Sequence, residues 1–478
     1  MDEFIYNQRR IPKDKWRYGL RTSAATGCGW IASHNVLRLF GLPSEPEALI
    51  REYALQIPLL HGLAGTSLFG VYRFFQKRGF PLQLVFRRKN FDAAVKDADA
   101  AILFYRWRKK WKLGAHFVAL HHTRKGFIGY NTYSNSVGPD MYGPSLQGFL
   151  KKRKYFGPVL MTIQNPYKIN TEGEKPMVLV VGSINMDVNI LLDHILRPGE
   201  TLLCRESVFK SPGGKGSNQA VAAAKLGAEV VMLGCVGKDE NGQQMLASLQ
   251  SAGVNTDYVM VKEECPTSTA YINVAASGEN AIAVDSSANM HVSAEYVSAY
   301  PELFAKADYC VFQLEIPIET VKAAKALCKK YNVKTVLNPS PMHERAPELL
   351  EGIDYLIPNE TEAEGLLGKP FEETCDEDWQ SFMETHKIGH MIITLGSAGC
   401  KYFETGKTPV LCPTKPRKAV DTCGAGDTFL GGFVTALSEG KNEPDAIAFA
   451  ASAAGIQITR SGAQAAMPTR AEVDEDMQ

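Results

Sequence analysis

The pattern of hydrophobic positions changes after the first third of the chain. From residue 177 onward, short β-branched runs alternate with longer segments in which apolar residues recur at helical spacing. MVLVVG, YCVFQLE and MIITLG predict buried strands, whereas NQAVAAAKLG and ETVKAAKALCKKYN predict helices. Alternation of strands and helices predicts a parallel sheet with helices on both faces, an α/β fold.

Two stretches interrupt this alternation. VNILLDHILRPGETLLCRESVFKSPGG and TSTAYINVAASGENAIAVDSSAN read as alternating strands, joined by Pro-Gly and Ser-Gly-Glu-Asn turns. Such strands do not belong to the strand-helix rhythm of a parallel sheet. We expect them to pair into a small separate sheet that projects from the α/β body as a lid.

A polar segment separates the two halves of the chain. Residues 164–176 read QNPYKINTEGEKP, are bounded by prolines and directly precede MVLVVG. The length of 478 residues exceeds one ordinary domain of roughly 150 residues. We therefore expect one domain over 1–165, a linker over 166–176 and a second domain over 177–478.

The charge of the chain is distributed unevenly between these halves. Residues 1–176 hold 28 Lys and Arg against 12 Asp and Glu, a net charge of +16, and the remainder holds 24 against 40, a net charge of −16. This asymmetry favours two separately evolved units. A basic first unit could attract acidic partners, but scattered basic side chains usually form a solvated face, so we expect no nucleic-acid partner.

The composition is that of a globular protein, with 45% apolar and 22% charged residues. No apolar run approaches the roughly 20 residues that span a bilayer, and the opening MDEFIYNQRR lacks the layout of a signal peptide. Ten cysteines without a CxxC pair fit a reducing compartment. We therefore expect a cytoplasmic protein without a membrane partner.

The segment DTCGAGDTFLGG carries the strongest chemical signal. It places Gly424, Ala425 and Gly426 before an apolar helix that begins near Asp427. Backbone N–H groups at such a helix start, together with the helix dipole, can bind a phosphate. Asp427 could accept a proton from a hydroxyl while these N–H groups stabilise charge on a transferring phosphoryl group. Judged by itself, the segment could equally be an ordinary glycine-rich N-cap.

Two further segments carry polar side chains at helix and strand ends. SPGGKGSNQ places Gly214 and Lys215 at the start of another helix, and GSINMD ends the first strand with Asn185 and Asp187. Ligands of open α/β sheets bind at the carboxyl ends of the strands, where these side chains could hold vicinal hydroxyls. A simple turn is the alternative for GSINMD. Neither a GxxxxGK[ST] loop nor a Rossmann fingerprint occurs, so a nucleotide would bind by another device.

GGKGSNQAVAAAKLG and DTCGAGDTF resemble the two signature segments of the ribokinase family of carbohydrate kinases. The resemblance continues in family order through GSINMD, QLEIP, LNPSP, IPNETEAE, ITLGSAG and TRSGAQ, over essentially all of residues 177–478. It implies a three-layer α/β/α domain with a β-sheet lid, and ATP-dependent phosphorylation of a pentose, D-ribose to D-ribose 5-phosphate. A kinase for deoxyribose or a nucleoside, and a non-catalytic sugar-sensing regulator, are the alternatives.

The resemblance also implies roles for individual residues, with Asp427 as the catalytic base. The residues that match sugar contacts are Asn185, Asp187, Gly214, Lys215, Asn218, Glu315 and Asp427. Those that match ATP contacts are Asn359, Thr394, Gly396, Ser397, Gly426 and Asp427. Asn359 and Glu362, an NxxE pair, match the family's magnesium shell, and a helix N-cap with exposed acids is their alternative reading.

The resemblance further implies a potassium ion beside the anion-binding turn. Backbone carbonyls would hold it, at positions that match Asp421, Cys423, Gln457, Arg460, Gly462 and Ala466. Family members often have Ser where this chain has Ala466, so a hydroxyl contribution to the cation is lost. A homodimer formed through the lid strands is also implied.

The first 165 residues contain a second candidate site. Cys28 lies between two glycines at the start of an apolar-periodic helix, where the helix dipole should lower the pKa of its thiol. GAHFVALHHTRKGFIGYN predicts two strands around a turn, with His116 in the first and Asn131 after the second. His116 could activate Cys28 while Asn131 orients the imidazole. A buried structural thiol and an ordinary strand histidine are the alternative.

This order of Cys28, His116 and Asn131 resembles the papain-like cysteine peptidases of the bacteriocin-leader-processing group. The resemblance implies a papain-like α+β domain with peptidase or amidase activity, and Gln8 as a contributor to the oxyanion hole. The family usually has Pro after the Cys-Gly pair, whereas this chain has Trp30, which alters the expected pocket. An inert binding module is the alternative.

Overall fold

The computed structural model divides the chain into two compact units, Met1–Glu174 and Lys175–Gln478. The structure describes residues 4–12, 16–18, 21–22, 27–40, 42, 44–55, 66–109, 112–123, 125–131, 136, 138–146, 150, 155–166 and 176–478. The division falls within the predicted linker, most of which lies outside the described residues. Among the described helices, none combines the length and hydropathy needed to cross a bilayer.

The N-terminal unit combines helices with an antiparallel sheet. Its helices are α1 Cys28–Leu39, α2 Pro46–Leu55, α3 Leu68–Gln76 and α4 Phe91–Lys96. Its strands are β1 Arg17–Tyr18, β2 Arg21–Thr22, β3 Leu82–Val85, β4 Ala100–Lys109, β5 Lys112–Thr123, β6 Gly126–Tyr130, β7 Asp140–Met141 and β8 Tyr155–Ile163. β1 pairs with β2, and the other six form an antiparallel sheet in the order β3-β8-β4-β5-β6-β7.

Helix α1 is the central helix of this unit. Trp30, Ile31 and Val36 are completely buried, and the helix packs against β4 and β5. Burial of large apolar side chains at about 25 cal/mol per Å² makes such a helix a main source of stability for its domain. The packing fixes the start of α1, where Cys28 lies, against the strand that carries His116.

The C-terminal unit contains most of the strand-helix alternation. Its strands are β9 Met177–Val181, β10 Asn185–Leu192, β11 Phe209–Gly213, β12 Glu229–Leu233, β13 Cys235–Gly237, β14 Met260–Lys262, β15 Thr269–Ala275, β16 Asn280–Asp285, β17 Tyr309–Phe312, β18 Lys334–Leu337, β19 Tyr355–Leu356, β20 His390–Thr394, β21 Cys400–Glu404 and β22 Val410–Cys412. Its helices are α5 Lys215–Lys225, α6 Glu240–Ser251, α7 Ala294–Ser298, α8 Pro301–Lys306, α9 Ile318–Tyr331, α10 Glu360–Leu367, α11 Asp376–His386, α12 Ala425–Ser438, α13 Glu443–Gln457 and α14 Arg470–Asp476.

The main sheet of this unit has eight strands in the order β12-β9-β17-β18-β19-β20-β21-β22. The six strands from β12 to β20 are parallel, as expected, but β21 and β22 are antiparallel at the edge. The connection from Thr394 to Cys400 is too short for the crossover that a parallel pair requires, so β21 turns back on β20.

Helices cover both faces of this sheet. Val178 and Val180 of β9 pack into a buried cluster with residues of α5, α12 and α13. Leu179 and Val181 point to the opposite face, because successive side chains of a strand alternate, and α8 contacts β9 while α9 contacts β18. The unit therefore has the three layers expected from the sequence.

The two stretches that interrupt the alternation form the expected separate sheet. Its order is β11-β10-β15-β16, with a parallel pair β10-β15 between two antiparallel pairs. β10 begins only four residues after the end of β9. The small sheet is therefore connected directly to the carboxyl edge of the main sheet.

Candidate active site

The predicted sugar-binding residues converge at the carboxyl ends of β9 and β17. Asn185 and Asp187 lie on β10, just after β9, and Glu315 follows β17. Oε2 of Glu315 accepts hydrogen bonds from Ser183 Oγ, from Asn185 Nδ2 at 3.4 Å and from the backbone N–H of Lys215 at 3.1 Å. One carboxylate oxygen thus ties the end of β9 to the start of α5, and Oε1 has no bond among the described residues.

Two adjacent glycines let α5 approach β10 closely. A Cβ on Gly213 would lie 2.0 Å from Oδ2 of Asp187, and a Cβ on Gly214 would lie 2.6 Å from the backbone nitrogen of Asn185. Gly214 also has φ +88°, which L side chains rarely adopt. Any side chain at these positions would displace the polar groups that line the cleft.

Two side-chain amides hold the carboxylate of Asp427. Asn218 Nδ2 donates to Oδ2 and Gln219 Nε2 donates to Oδ1, each at 2.9 Å. Asp427 lies in the first turn of α12 and is buried. Both donors come from α5, so the contact between α5 and α12 sets the position of this carboxylate.

A second layer of amides orients the first. Gln313 Nε2 donates to Gln219 Oε1 at 2.6 Å, and Gln464 Nε2 donates to Asn218 Oδ1 at 3.0 Å. Because these oxygens are engaged as acceptors, the nitrogens of Gln219 and Asn218 must face Asp427. Asn218, which the sequence predicts to contact the sugar, lies here as a donor to the Asp427 carboxylate.

The charges in the cleft shift the pKa values of its ionisable groups. Burial raises the pKa of Asp187 to about 7, with help from the negative charges of Glu315 and Asp427. Burial also raises the pKa of Asp427, although Lys215 and the two amides oppose the shift. Burial acts to lower the pKa of Lys215, but the charges of Asp427 and Glu315 outweigh it and raise this pKa. The lysine therefore stays protonated between the carboxylates.

The turn before α12 has the geometry of an anion site. Gly424 is the N-cap residue in the left-handed conformation, and α12 begins at Ala425. Within the described chain, the backbone N–H groups of Gly426 and Asp427 make no hydrogen bond. They lie beside the Asp427 carboxylate at the positive end of the helix dipole, so the turn can bind a phosphoryl group next to a base.

Asn359 and Glu362 form a capping box at the start of α10. Asn359 Oδ1 accepts from Glu362 N at 2.8 Å, and Glu362 Oε2 accepts from Asn359 N at 3.0 Å. Glu362 is 7% exposed, unlike the exposed acids of an ordinary cap, and Asn338 Nδ2 donates to its Oε2 at 3.3 Å. The remaining oxygen, Oε1, suits a hard cation or its water.

The donor set fits Mg²⁺ held with its own waters. Among the described residues, no group of three or more His, Cys, Asp or Glu could form a metal cage. Mg²⁺ commonly binds through one or two carboxylates together with water and substrate phosphates. Glu362 supplies one such carboxylate. Gln219 Nε2 lies 3.4 Å from Asn338 Oδ1, so a hydrogen-bonded chain connects Asp427 with Glu362.

The predicted nucleotide residues follow β20. Thr394 ends this strand and forms a backbone bridge with Asn359, while its N–H donates to the carbonyl of Pro358 at 3.0 Å. Gly396 and Ser397 lie in the exposed turn that follows, and Gly396 has φ +54°. The structure thus brings the predicted nucleotide and magnesium residues to the same edge of the sheet.

The predicted potassium ligands do not fit a cation. Gln457 Nε2 donates to the carbonyl oxygens of Cys423 and Gly462, at 2.6 and 3.3 Å, so a side chain occupies the position between two of the six predicted ligands. Asp421 accepts from the N–H groups of Cys423 and Gly462, at 2.9 and 2.8 Å. Arg460 pairs with Glu472, and the methyl side chain of Ala466 is buried. The sequence-based prediction considered carbonyls and ignored the side chain of residue 457.

In the N-terminal unit, Gln8, His116 and Asn131 lie together. Asn131 Oδ1 accepts from Gln8 N at 2.9 Å, Asn131 Nδ2 donates to Gln8 Oε1 at 3.3 Å, and His116 Nε2 lies 2.6 Å from the Asn131 carbonyl. Asn131 contacts the imidazole of His116 through its backbone carbonyl, whereas its side chain binds Gln8. A carbonyl accepts only, so Nε2 carries the proton and Nδ1 is the acceptor of the neutral ring.

Cys28 begins α1 as predicted, but its predicted low pKa is wrong. Burial raises the pKa of this thiol to about 11, against the opposing effect of a backbone hydrogen bond from Phe117. Cys28 is 7% exposed, and loss of water outweighs the helix dipole. Burial lowers the pKa of His116, and the positive charge of Arg9 lowers it further, against a hydrogen bond to Asn131. The resting pair is therefore a neutral thiol and a neutral imidazole.

Four side-chain amides in the network around Asp427 and Glu362 were not predicted from the sequence. They are Gln219, Gln313, Asn338 and Gln464. Each lies within a segment that supports the family resemblance: GSNQ, QLEIP, LNPSP and TRSGAQ. Their presence inside these segments was the available signal, but their roles depend on contacts across more than 90 residues of chain.

Comparison with known proteins assigns most of the chain to one family. The model of the pfkB family carbohydrate kinases matches residues 175–470. A protein named ribokinase from Haemophilus influenzae is 41% identical over 305 residues, covering 62% of this chain and 96% of that protein. A protein named deoxyribokinase from Salmonella typhi is 34% identical over 303 residues, covering 62% of this chain and 97% of that protein.

Solved structures give the same assignment. The structure of Arabidopsis thaliana ribokinase, complexed with ribose and ATP, matches with a TM-score of 0.56 and 32% identity, and the match covers 64% of this chain and 99% of that one. The match to the family model begins at residue 175 and leaves the first 174 residues outside it.

Proposed function

Because this chain belongs to the pfkB family of carbohydrate kinases, we propose that its C-terminal unit transfers the γ-phosphoryl group of ATP to the 5-hydroxyl of D-ribose. The products are ADP and D-ribose 5-phosphate. The names of its relatives support ribose as the acceptor. The observation that carries the proposal is the position of Asp427, a buried carboxylate in the first turn of α12, beside two N–H groups that make no hydrogen bond within the described residues.

The sugar binds in the cleft between the lid sheet and the start of α5. Asp187 and Glu315 offer carboxylate oxygens that accept hydrogen bonds from sugar hydroxyls, and the positive charge of Lys215 balances the charges of Glu315 and Asp427. Asn185 is fixed by Asn289, which donates to its Oδ1 at 2.7 Å. Prearranged polar groups reduce the entropy that is lost when the sugar binds, and they aim its 5-hydroxyl at Asp427.

Phosphoryl transfer then follows from the chemistry of one helical turn. Asp427 accepts the proton of the 5-hydroxyl as that oxygen forms a bond to the γ-phosphorus. The bond from the γ-phosphorus to the β,γ-bridging oxygen breaks, and ADP leaves with the electron pair. The N–H groups of Gly426 and Asp427 donate to the equatorial oxygens, where charge accumulates.

A magnesium ion, when bound with ATP, neutralises charge on the β- and γ-phosphates. Glu362 and Asn359 would hold its water shell, and Thr394, Gly396 and Ser397 would contact the nucleotide. Potassium is left out of this proposal because Gln457 donates to two of its predicted ligands.

Release of ADP from the purified full-length chain, with ATP, Mg²⁺ and a panel of acceptors, tests the proposal. The panel comprises D-ribose, 2-deoxy-D-ribose and adenosine, because relatives include a deoxyribokinase. We expect the highest kcat/KM with D-ribose. If ADP is released only with deoxyribose or adenosine, that compound and not D-ribose is the acceptor. If calorimetry shows that ribose binds but no acceptor gives ADP release, the protein is a sugar-sensing regulator and not a kinase.

A homodimer through the lid strands is part of this proposal. Phe209 pairs with Asn189, and Ile272 pairs with Ile282 across β15 and β16; all four share the lid face that carries Asp187. Phe209 and Ile282 are 50% and 53% exposed, which a second lid could cover. Sedimentation should give a dimer, and Ile282→Glu should give a monomer with a raised KM for ribose.

For the N-terminal unit we propose a second function, hydrolysis of an amide or peptide bond with Cys28 as the nucleophile. The observation that favours it is the tautomer of His116: Nε2 is held by the Asn131 carbonyl, so Nδ1 is available as a base. The hydrogen bond from Phe117, the next residue, places Cys28 beside this strand position. Gln8, held by Asn131, is the proposed oxyanion donor.

Labelling of the full-length chain with a peptide-based electrophile, followed by peptide mapping, tests this second function. The exposed cysteines Cys204 and Cys375 provide internal controls for non-specific reaction. We expect labelling at Cys28 to disappear in His116→Ala while labelling of the exposed thiols is unchanged. If Cys28 is labelled equally in the unaltered chain and in His116→Ala, we would interpret Cys28 as a structural thiol and the unit as a binding module.

A further inference from the structure

We infer that the side-chain amide of Gln457 takes the place of a monovalent cation in this protein. The amide holds the turn that precedes α12 by donating to carbonyl oxygens that a cation would otherwise bind. The kinase reaction would then need no potassium. The kinetic part of this inference rests on the proposed phosphotransferase activity, whereas its structural part does not.

The contacts of Gln457 identify the replacement. Gln457 is the last residue of α13 and is completely buried. Its Nε2 lies 2.6 Å from the carbonyl oxygen of Cys423 and 3.3 Å from that of Gly462, which belong to two separate loops. One NH₂ group has two hydrogens and can satisfy both oxygens, so it bridges the loops as a cation would.

Without a cation between the three oxygens, the opposite orientation of the amide is excluded by chemistry. Oxygen and nitrogen of a glutamine are nearly isosteric, so the orientation must follow from the hydrogen bonds. If Oε1 faced Cys423 and Gly462, three acceptor oxygens would meet with no proton between them. Oε1 has no hydrogen-bond partner among the described residues. Reversing the amide would therefore form no new hydrogen bond at the position where Oε1 now lies.

Asp421 completes the arrangement. Its Oδ1 and Oδ2 accept from the N–H groups of Cys423 and Gly462, whose carbonyls accept from Gln457. The same two residues are thus held by one acceptor and one donor side chain. A cation ligated by these carbonyls and the Gln457 amide nitrogen cannot occupy the same position.

The bridge matters for catalysis because of its position in the chain. Cys423 directly precedes Gly424, and the anion-binding N–H groups follow within three residues. Removal of the bridge should loosen this turn, and loss of one oxyanion donor typically costs about 10²–10³-fold in kcat. A small cation that entered the vacated space could restore the link.

The first test compares the unaltered full-length chain in potassium chloride and in choline chloride at equal ionic strength. Choline is too large to enter a site between carbonyls. We expect kcat to differ by less than about twofold, and the melting temperature to be the same in both salts. A fall of kcat by about tenfold or more in choline, or a melting temperature raised by potassium alone, would overturn the inference.

The second test uses two variants of the bridge. Gln457→Ala vacates the space, and Gln457→Glu places an acidic group against two carbonyls, where it needs a counter-cation. We expect both variants to gain a potassium-dependent melting temperature and a potassium-dependent kcat. Gln380→Ala is the matched control, since it removes an exposed amide that donates to the Lys407 carbonyl. If both variants respond to potassium no more than this control does, Gln457 does not replace a cation.

The melting temperatures separate failure of this inference from failure of the proposed function. If ADP release is absent for every acceptor, the melting temperatures in the two salts still show whether potassium binds to the protein. If Gln457→Ala does not fold, Gln457→Glu and the unaltered chain carry the comparison.

Discussion

Each of the two units has an ionisable side chain at the start of a helix, but the groups that surround this side chain differ between them. Cys28 begins α1 after Gly27, and Asp427 lies in the first turn of α12 after Gly424. Burial raises the pKa of both groups. Around Asp427, the charge of Lys215 and two side-chain amides oppose this effect. Around Cys28, the opposing groups are backbone hydrogen bonds.

The difference shows that a helix N-terminus does not by itself make a group reactive. The dipole of a helix is worth typically 0.3–1 kcal/mol, about the same for both sites. Desolvation of a fully buried ionisable group can shift its pKa by up to about 3–5 units. The groups that other elements contribute therefore decide the ionisation state, and α5 contributes them at Asp427.

The largest expected effect is the loss of the base. Asp427→Asn should lower kcat by about 10²–10⁴-fold, because no carboxylate remains to accept the proton. The new NH₂ group would also face one of the amide donors. ADP release gives kcat, and calorimetry should show that ribose and ATP still bind. Asp257→Asn, at an exposed position, is the control. A kcat within a few-fold of the unaltered chain would remove Asp427 from its role.

The reactivity of Cys28 tests whether burial keeps its thiol protonated. With its pKa at about 11, little thiolate exists at neutral pH, so iodoacetamide should modify Cys28 about a hundredfold more slowly than an ordinary exposed thiol. Cys204 in the same molecule provides that reference. The rate at Cys28 should rise with pH until about pH 11. Rapid modification at pH 7 would mean that the two sites are more alike than their contacts indicate.

The amide layer predicts a smaller effect. Gln219→Leu removes one donor to Asp427, which should raise the pKa of that carboxyl further and lower kcat/KM at neutral pH by about tenfold. In a plot of kcat/KM against pH, the acid limb should move to higher pH, whereas a merely structural change would not move it. Gln244→Leu, an exposed substitution, is the control. An unshifted limb would mean that Gln219 does not support ionisation of the base.

The pH dependence of sugar use should be the mildest effect. Asp187 has a pKa of about 7, so acidification below this value protonates it and removes an acceptor for sugar hydroxyls. We expect kcat/KM to fall below pH 7, and Asp187→Asn to remove this dependence while lowering kcat/KM throughout. A folded pKa above the unfolded value also means that stability without ligand decreases as pH rises towards 7. The melting temperature, measured between pH 5 and 8, checks the direction of this change. In Asp187→Asn, the melting temperature should depend less on pH.

The sequence predicted those features that depend on local pattern. The six parallel strands of the main sheet, the lid and the start of α12 follow from periodicity and glycine placement, and all occur in the structure. The family match supports the same fold. The antiparallel edge from β21 to β22 was missed, because loop length rather than strand pattern determines its direction.

Features that depend on long-range packing escaped prediction. Gln464 reaches Asn218 across 246 residues, and no local pattern announces that contact. The pKa of Cys28 depends on how deeply α1 is buried, and the potassium prediction missed the side chain of Gln457. In each case, the residue was visible in the sequence but its neighbours were not.

The chain of side chains from Gln219 through Asn338 to Glu362 has a consequence for the order of events in the cleft. Because it joins the carboxylate proposed as the base to the carboxylate proposed to hold the metal, a change of charge at one end alters the free energy at the other. Such linkage is reciprocal. Binding of divalent metal should therefore lower the apparent proton affinity of the base, and proton uptake should weaken metal binding by the same factor.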